Sequence, residues 1–555
     1  MAFIDTSTSS TGTAYKTANN GFITMLTIVA ALGGLLFGYD TAVVNGAEKS
    51  LVEFYIKNFT NPSYYSYAVT MVQQYKWMMV IVLLVIILVI AGQLIRLLGG
   101  KKGGLLSLLM LAVFCFWATA FIAKAVPTAG ADLKDTANTI KGFVIASALI
   151  GCIIGGASAG FVSKSLGRRK GLLIAAVAFF ISAIGAWKPE AFNIFGTLDV
   201  YSFVVYRIVG GIGVGIASMI SPMYIAEIAP ANVRGKLVSF NQFAIIFGML
   251  VIYFVNYFIA KQGDEQWLIT EGWRWMFFSG VIPAGIFFIL LFFVPETPRY
   301  LVMVGKDEKA LLVLEKITGK ADASKILDDI KTTTHQANAP WLSYGFGIIF
   351  IGIMLSVFQQ FVGINVVLYY AGNIFRNMGS STDASLLQTI IVGAVNLVFT
   401  VVAILTVDKF GRKPLMVIGS VGMAVSMLAL GLTFYFNQAG IGALIFMLVY
   451  TAAFAMSWGP VCWVLLAEIF PNSIRGALSI AVAAQWIANW VVSLTFPMLN
   501  DNVWLTNKFN HGFAYWIYGA MGLLSALFMW KFVPETKGKT LEEIEVLWNK
   551  KVKLS

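Results

Sequence analysis

Long apolar runs separated by short polar turns dominate this chain. Fourteen of them approach or exceed the length an α-helix needs to cross the hydrocarbon of a bilayer, about 20 residues. They fall at 21–44, 76–98, 104–126, 142–164, 171–188, 201–221, 238–260, 274–294, 343–372, 385–406, 414–436, 439–465, 477–498 and 512–533. In lipid the backbone must satisfy its own hydrogen bonds, so runs of this length predict spanning helices. The expected fold class is an all-α membrane protein.

The turns between runs are not alike. Arg96 with Lys101 and Lys102, Lys164 with Arg168 to Lys170, Arg234 with Lys236, and Lys409 with Arg412 and Lys413 all fall on one side if every run spans. Both termini and the charged stretch 295–342 fall on that side too. Lys and Arg collect in cytoplasmic loops, so this basic side is expected to face the cytoplasm. The opposite loops, 132–141, 189–200, 261–271 and 500–511, mix both signs of charge.

The chain also repeats itself. Gly167-Arg168-Arg169 returns as Gly411-Arg412-Lys413. Glu227, Pro230 and Arg234-Gly235 return as Glu468, Pro471 and Arg475-Gly476. Pro295-Glu296-Thr297 returns as Pro534-Glu535-Thr536. The offsets are 244 residues for Arg168 to Arg412, 241 for Glu227 to Glu468 and 239 for Glu296 to Glu535. Three unrelated motifs in one order at nearly one spacing mark a duplication of six-span halves. The runs at 76–98 and 104–126 have no counterpart in the second half and read as an inserted two-helix hairpin. Met78–Ile90 holds no polar side chain, which favours spanning over a re-entrant loop. The organisation expected is a polar tail 1–20, an N-terminal half 21–294 that includes the hairpin 76–126, a cytoplasmic helical linker 295–342, a C-terminal half 343–533 and a cytoplasmic tail 534–555. Within the linker, Lys306–Lys316 and Ala321–Lys331 show the three-and-four apolar spacing of short amphipathic helices.

Composition fits only this class. Of the 555 residues, 58% are hydrophobic and 12% charged, against about 25% charged in a soluble domain. A water-soluble enzyme or a disordered chain with so little charge could not cover its surface. The net charge of +12 follows from basic cytoplasmic loops and does not call for nucleic acid. The three cysteines, Cys115, Cys152 and Cys462, lie in apolar runs and suggest no disulfide framework. Residues 1–20 show no cleavable leader. There is no Walker loop, no metal-ligand spacing and no Ser-His-Asp or Cys-His arrangement, so no enzyme, cofactor or metal is expected.

Several motifs carry a family resemblance. Gly33-Gly-Leu-Leu-Phe-Gly-Tyr-Asp40, the Gly-Arg-Arg and Gly-Arg-Lys turns, Pro295-Glu-Thr-Pro-Arg299, Gln359-Gln360-Phe-Val-Gly-Ile-Asn365 and Pro534-Glu-Thr-Lys-Gly-Lys539 resemble the sugar porter family of the major facilitator superfamily. The likeness covers nearly the whole chain apart from 1–20 and about 55–140. It implies two six-helix bundles around a central sugar site that opens alternately to each side. It further implies proton-coupled import of D-xylose or a closely related monosaccharide, by a monomer in the bacterial inner membrane with both termini cytoplasmic. An uncoupled facilitator and a non-transporting sugar sensor are the competing readings. The 22 residues after Val533 are short for a sensor tail. A third reading lets the hairpin dock a partner protein.

A sugar presents hydroxyls and apolar C–H faces, which suit neutral amides and aromatic plates. Gln242, Gln359, Gln360, Asn365, Asn396 and Gln485 stand inside apolar spans, as do Trp463 and Trp486. An amide in hydrocarbon must be satisfied, so these face the interior. A lone amide such as Asn396 also fits simple helix bridging. The adjacent pair Gln359-Gln360 with Asn365 does so less readily, and Gly363 between them permits local unwinding. Carried over by position, the resemblance implies Gln242, Gln359, Gln360, Asn365, Trp463 and Gln485 as sugar ligands, with Phe37, Tyr369, Asn396 and Trp486 around them. One departure is Met249, where the similar proton-coupled member has a glutamine, which leaves the choice between pentose and hexose open.

Asp40 and Arg207 are ionisable groups inside spans, where such groups are rare and paired. Protonating the carboxylate would release the arginine, a two-state element that a proton can bias. The resemblance implies Asp40 as the proton-coupling group and Arg207 as its partner; the competing reading is a static ion pair. At the inner ends of the spans lie Arg168, Arg169, Glu227, Arg234, Glu296, Arg299, Arg412, Glu468 and Arg475. Their repetition suggests a cytoplasmic gate whose opposite charges pair across the halves when that side is closed. Topology determinants and helix caps are the simpler reading.

Overall fold

The computed structural model describes residues 20–60, 62–126, 130–193, 196, 198–230, 233–334, 340–470, 474 and 477–537. Among them, fourteen helical stretches are long and apolar enough to cross a membrane. The first, Asn20–Tyr55, has 36 residues. At 1.5 Å per residue it is about 54 Å long, well beyond the roughly 30 Å of hydrocarbon, so its second half carries polar residues out of the membrane as continuous helix.

Spans one and four to eight pack into one bundle, and spans nine to fourteen into a second. Within the first bundle, the fourth span (Ser147–Leu166) and the sixth (Asp199–Ile228) touch backbone to backbone. A Cβ on Gly211 would lie 1.8 Å from the Ala148 carbonyl oxygen, and one on Gly151 2.0 Å from that of Ile208. Apolar side chains gain little by leaving lipid, so such close approach of small residues supplies the packing energy.

The expected hairpin is present as Tyr65–Leu98 and Gly100–Ala123. Its first helix is pinned to the bundle. The Tyr201 hydroxyl donates to the Met71 carbonyl at 2.6 Å, and the Leu198 amide to Gln74 Oε1 at 3.0 Å. Lys76 is buried and gives its ammonium to the carbonyls of Ile122 and Lys124, which the end of the second helix leaves unpaired. The outer face is apolar: Leu105, Leu108 and Phe116 are 69%, 66% and 79% exposed. Lipid covers such a face without cost.

Among the described residues, the eighth span is interrupted at Ser279-Gly280, between Trp273–Phe278 and Val281–Leu290, and two further spans are broken. The ninth runs as Phe346–Phe361 and Ile364–Asn377, the twelfth as Ile441–Met456 and Pro460–Ile469. At the break in the ninth Gly363 takes a φ of 91°, a left-handed conformation that side chains disfavour. Between the bundles lie the short helices Pro298–Met303, Asp307–Thr318 and Lys320–Thr334. The last two fall where the three-and-four spacing predicted them. Ala310, Val313, Leu314 and Ile317 form the buried face of the first of these two.

Candidate functional site

The break at Gly363 carries the amides. Gln359 and Gln360 end one helical segment, and Asn365 begins the next. They form a relay. Asn365 Nδ2 donates to Gln360 Oε1 at 2.5 Å, Gln360 Nε2 to Gln359 Oε1 at 3.4 Å, and Gln359 Nε2 to the Trp458 carbonyl at 2.8 Å. Trp458 stands in the break of the twelfth span, and its indole N–H donates to Ser420 Oγ at 2.7 Å. Gln359 therefore satisfies a carbonyl that the interrupted helix leaves free, while the relay still has amide groups to offer.

The thirteenth span (Leu478–Asn500) packs along Phe346–Phe361. Both run from the basic end, and a Cβ on Gly352 would meet that of Ala481 at 3.5 Å. One turn further on, Ser356 and Gln485 stand at one level, and Gln485 Oε1 is buried with no hydrogen-bond partner. Trp486, next to it, stacks obliquely on Phe37 of the first span at 5.6 Å between centroids. It also lies 3.3 Å from a Cβ built on Gly156, so this ring sits on the seam between bundles. Tyr369 is buried, with its hydroxyl facing Thr41 and Asn489. Asn396 is buried in the tenth span. Gln242 and Trp463 are half-buried in the seventh and twelfth. Met249 is buried where the seventh span presses on the first, its backbone nitrogen 3.0 Å from a Cβ built on Gly38.

In the first bundle Arg207 Nη1 donates to Asp40 Oδ1 at 2.7 Å, and Nη2 to the Asp40 carbonyl at 2.8 Å. The guanidinium also lies 5.1 Å from the centre of the Phe277 ring. Asp40 Oδ2 is buried and unpartnered. A small cavity lined by Tyr39, Asp40, Phe179, Arg207, Phe277 and Gly280 opens beside the pair. One carboxylate oxygen is thus held and the other is available to a proton.

At the basic end the two charge clusters are copies of each other. Arg168 Nη2 pairs with Glu227 Oε1 at 2.8 Å, and Glu296 accepts the backbone amides of Arg168 and Arg169 at 3.1 Å each. Thr297 Oγ1 closes the set on Glu227 at 2.6 Å. In the second bundle Arg412 Nη2 pairs with Glu468 Oε1 at 2.8 Å, and Glu535 accepts the amides of Arg412 and Lys413 at 3.1 and 2.9 Å. Thr536 Oγ1 donates to Glu468. In this structure the ion pairs between described residues at this end lie within one half. The reason is geometric: the Gly-Arg turn points its helix N-terminus at the Pro-Glu-Thr carboxylate of its own half, where helix amides hold an anion. Arg234 Nε reaches the Ala229 carbonyl at 3.3 Å, and Arg299 opens the helix Pro298–Met303. Arg475 lies outside the described residues.

At the opposite end the halves are joined. Asn45 Nδ2 and the Tyr253 hydroxyl both donate to the Leu368 carbonyl, at 2.8 and 2.9 Å. A buried ionic cluster absent from the expected site lies beside them. Glu48 pairs with Lys141 Nζ at 2.8 Å and with Arg376 Nη2, and Lys141 pairs with Asp501 at 3.0 Å. In the sequence these are single charges at span edges. The one available signal was Glu48 itself, a carboxylate eight residues past Asp40, and Asn45-Gly46 between them reads as a turn that hides the continuing helix.

Comparison with known proteins agrees with this architecture. The sequence profile of the sugar (and other) transporter family matches residues 26–133 and 125–548. The chain is 52% identical to the D-xylose-proton symporter of Escherichia coli over 550 residues, 96% of this chain and 97% of that one. It is 36% identical to the glucose facilitated diffusion protein of Zymomonas mobilis, over 96% of this chain and 98% of the other. Among solved structures it matches the inward-open conformation of the E. coli xylose transporter XylE at a TM-score of 0.73, covering 95% of this chain and 100% of that one with 51% identity. It matches the same proton:xylose symporter bound to 6-bromo-6-deoxy-D-glucose at 0.70, covering 96% and 100% with 52% identity. Two bundles, a duplicated charge motif and a match along almost the whole chain leave one conclusion: this protein belongs to the sugar transporter family of the major facilitator superfamily.

Proposed function

We propose that this protein imports D-xylose, or a closely related monosaccharide, together with a proton, as a monomer in the bacterial inner membrane. The observation that carries the reading is the pairing in one molecule of an amide relay at a broken helix of the second bundle and a half-paired carboxylate inside the first. The 52% identical D-xylose-proton symporter supports the choice of substrates. The basic end, with both termini, faces the cytoplasm in this reading.

Sugar hydroxyls bind the amides of Gln359, Gln360, Asn365, Gln242 and Gln485 and the indole of Trp463. Trp486 and Phe37 supply an apolar plate, with Tyr369 and Asn396 around it. Sugar that engages Gln360 and Asn365 spans the break at Gly363, so it biases the angle between the two helical segments. A proton arriving at Asp40 Oδ2 cancels the charge that Arg207 holds, and the freed guanidinium loosens the first span from the sixth. Both events act on the contacts that decide which side is open. The paired clusters around Glu227 and Glu468 act as rigid corners of each half during rocking.

The test is sugar-evoked proton movement. Adding D-xylose outside lightly buffered proteoliposomes should alkalinise the medium with wild-type protein and not with Asp40→Asn. Sugar entry without alkalinisation would make the protein a facilitator.

A further inference from the structure

We propose that Glu48 is the pivot of a gate that closes the end of the molecule opposite the basic clusters, and that breaking its pairs is a required step of the transport cycle. The inference rests on the alternating-access reading above. Glu48 is 1% exposed and Lys141 7% exposed. Glu48 and Lys141 belong to the N-terminal half, Arg376 and Asp501 to the C-terminal half. Two of the three ion pairs, Glu48–Arg376 and Lys141–Asp501, therefore cross between halves, and Glu48–Lys141 does not. Asn373 Nδ2 also reaches Glu48 Oε1 at 3.5 Å, and Asn138 Nδ2 donates to the Asp501 carbonyl at 2.8 Å.

Three features separate a gate from static glue. The first is its asymmetry with the other end, where the ion pairs between described residues stay within a half. Among the described residues, the ion pairs that cross between the halves lie at this end. The second is what remains after opening. When the halves part, Glu48 keeps Lys141, so the N-terminal half is left with a neutral pair rather than an uncompensated buried charge. Removing one partner of a buried pair is costly, whereas a cluster that divides into a pair and two hydrated ions can open and reclose. An apolar seam would hold the halves at least as tightly, so ionic pairing here is a poor choice for permanence. The third is leverage. Arg376 stands at the far end of the segment Ile364–Asn377, whose near end holds Asn365 and Gly363. Glu48 grips the outer tip of the segment on which the sugar-site amides sit. A sugar-driven change at the break is thereby transmitted along one rigid helix to the gate. Lys261–Asp383 also crosses between halves but is 44% and 55% exposed, and exposed pairs contribute little.

The test measures opening directly, with or without sugar transport. Spin labels at Gln262 and Gln438, exposed sites on the two halves at this end, report the distance across it in full-length protein in nanodiscs, with Cys115, Cys152 and Cys462 replaced. In Glu48→Gln and, independently, Arg376→Gln, the ratio of long to short distances should rise about tenfold over the parent. Asp307→Asn, which breaks the remote surface pair with Lys331, should leave it unchanged. Inverting all four charges (Glu48→Lys, Lys141→Glu, Arg376→Glu, Asp501→Lys) should restore the parental distribution. Unchanged distances in both single variants, with melting curves showing them folded, would overturn the gate. Shifted distances in the variants, with no D-xylose exchange by the parent protein, would keep the gate and overturn the substrate.

Discussion

Arg207 holds one oxygen of the Asp40 carboxylate at 2.7 Å and leaves the other buried without a partner. A purely structural ion pair between two helices gains by engaging both oxygens, as bidentate arginine–carboxylate pairs do. Here the second guanidinium nitrogen goes to the Asp40 backbone carbonyl instead. Asp40→Asn preserves the shape and removes the titration. It should abolish uphill sugar accumulation while sugar exchange between the two sides continues. Counterflow in proteoliposomes measures the second and gradient-driven uptake the first.

Arg207→Gln should behave differently. It strands a buried carboxylate, a loss on the order of 3–5 kcal/mol for a broken buried pair. A lowered melting temperature in detergent, partly rescued by adding Asp40→Asn, is the expected signature. Unchanged melting would mean that the Asp40–Arg207 pair contributes nothing to holding the two spans together.

Gly363 is the position least tolerant of a side chain. Its φ of 91° would cost an alanine about 1–2 kcal/mol, and the new Cβ would lie 2.7 Å from the Tyr518 ring. Gly363→Ala should slow transport and weaken sugar binding together, because the break positions Gln360 and Asn365. Binding calorimetry beside uptake rates checks this. A variant that binds as well as the parent would place the sugar elsewhere.

The amides should separate by role. Gln485→Ala removes an amide with an unpartnered oxygen, so it should weaken sugar binding about three- to tenfold per lost bond with little change in melting. Gln359→Ala also orphans the Trp458 carbonyl, so it should lower stability by a further 1–3 kcal/mol or so. Titrating sugar during thermal melting resolves the two effects.

The clusters at the basic end predict a pattern of couplings. A double-mutant cycle on Arg168 and Glu227 should show a coupling of about 1–3 kcal/mol, and one on Arg168 and Glu468 less than about 0.5 kcal/mol. The reverse pattern would mean that the halves pair across this end in the resting protein.

Much of the fold and part of the site are legible in the sequence alone. The spans declare themselves because lipid demands about 20 apolar residues in a row, and the duplication because three motifs recur at one spacing. Asp40 and Arg207 stand out because charge inside a span is rare. Gly363 between amides marks a break for the same kind of reason. The Glu48 cluster is hidden. Its members are separated by 93, 328 and 360 residues (Glu48 to Lys141, Glu48 to Arg376, Lys141 to Asp501), and each alone looks like an ordinary charge at a membrane edge. The apolar pattern of the first span stops at 44, whereas the helix continues to Tyr55 and carries Glu48 against the second half. At the basic end, sequence symmetry shows which charges repeat, not whether each copy pairs within its own half or across the halves when that side is closed.

The most direct test of the account is uptake of labelled D-xylose into proteoliposomes with an imposed inward proton gradient. The account predicts accumulation above the outside concentration, abolished by a protonophore. Equilibration without accumulation, or no uptake at all, would contradict it.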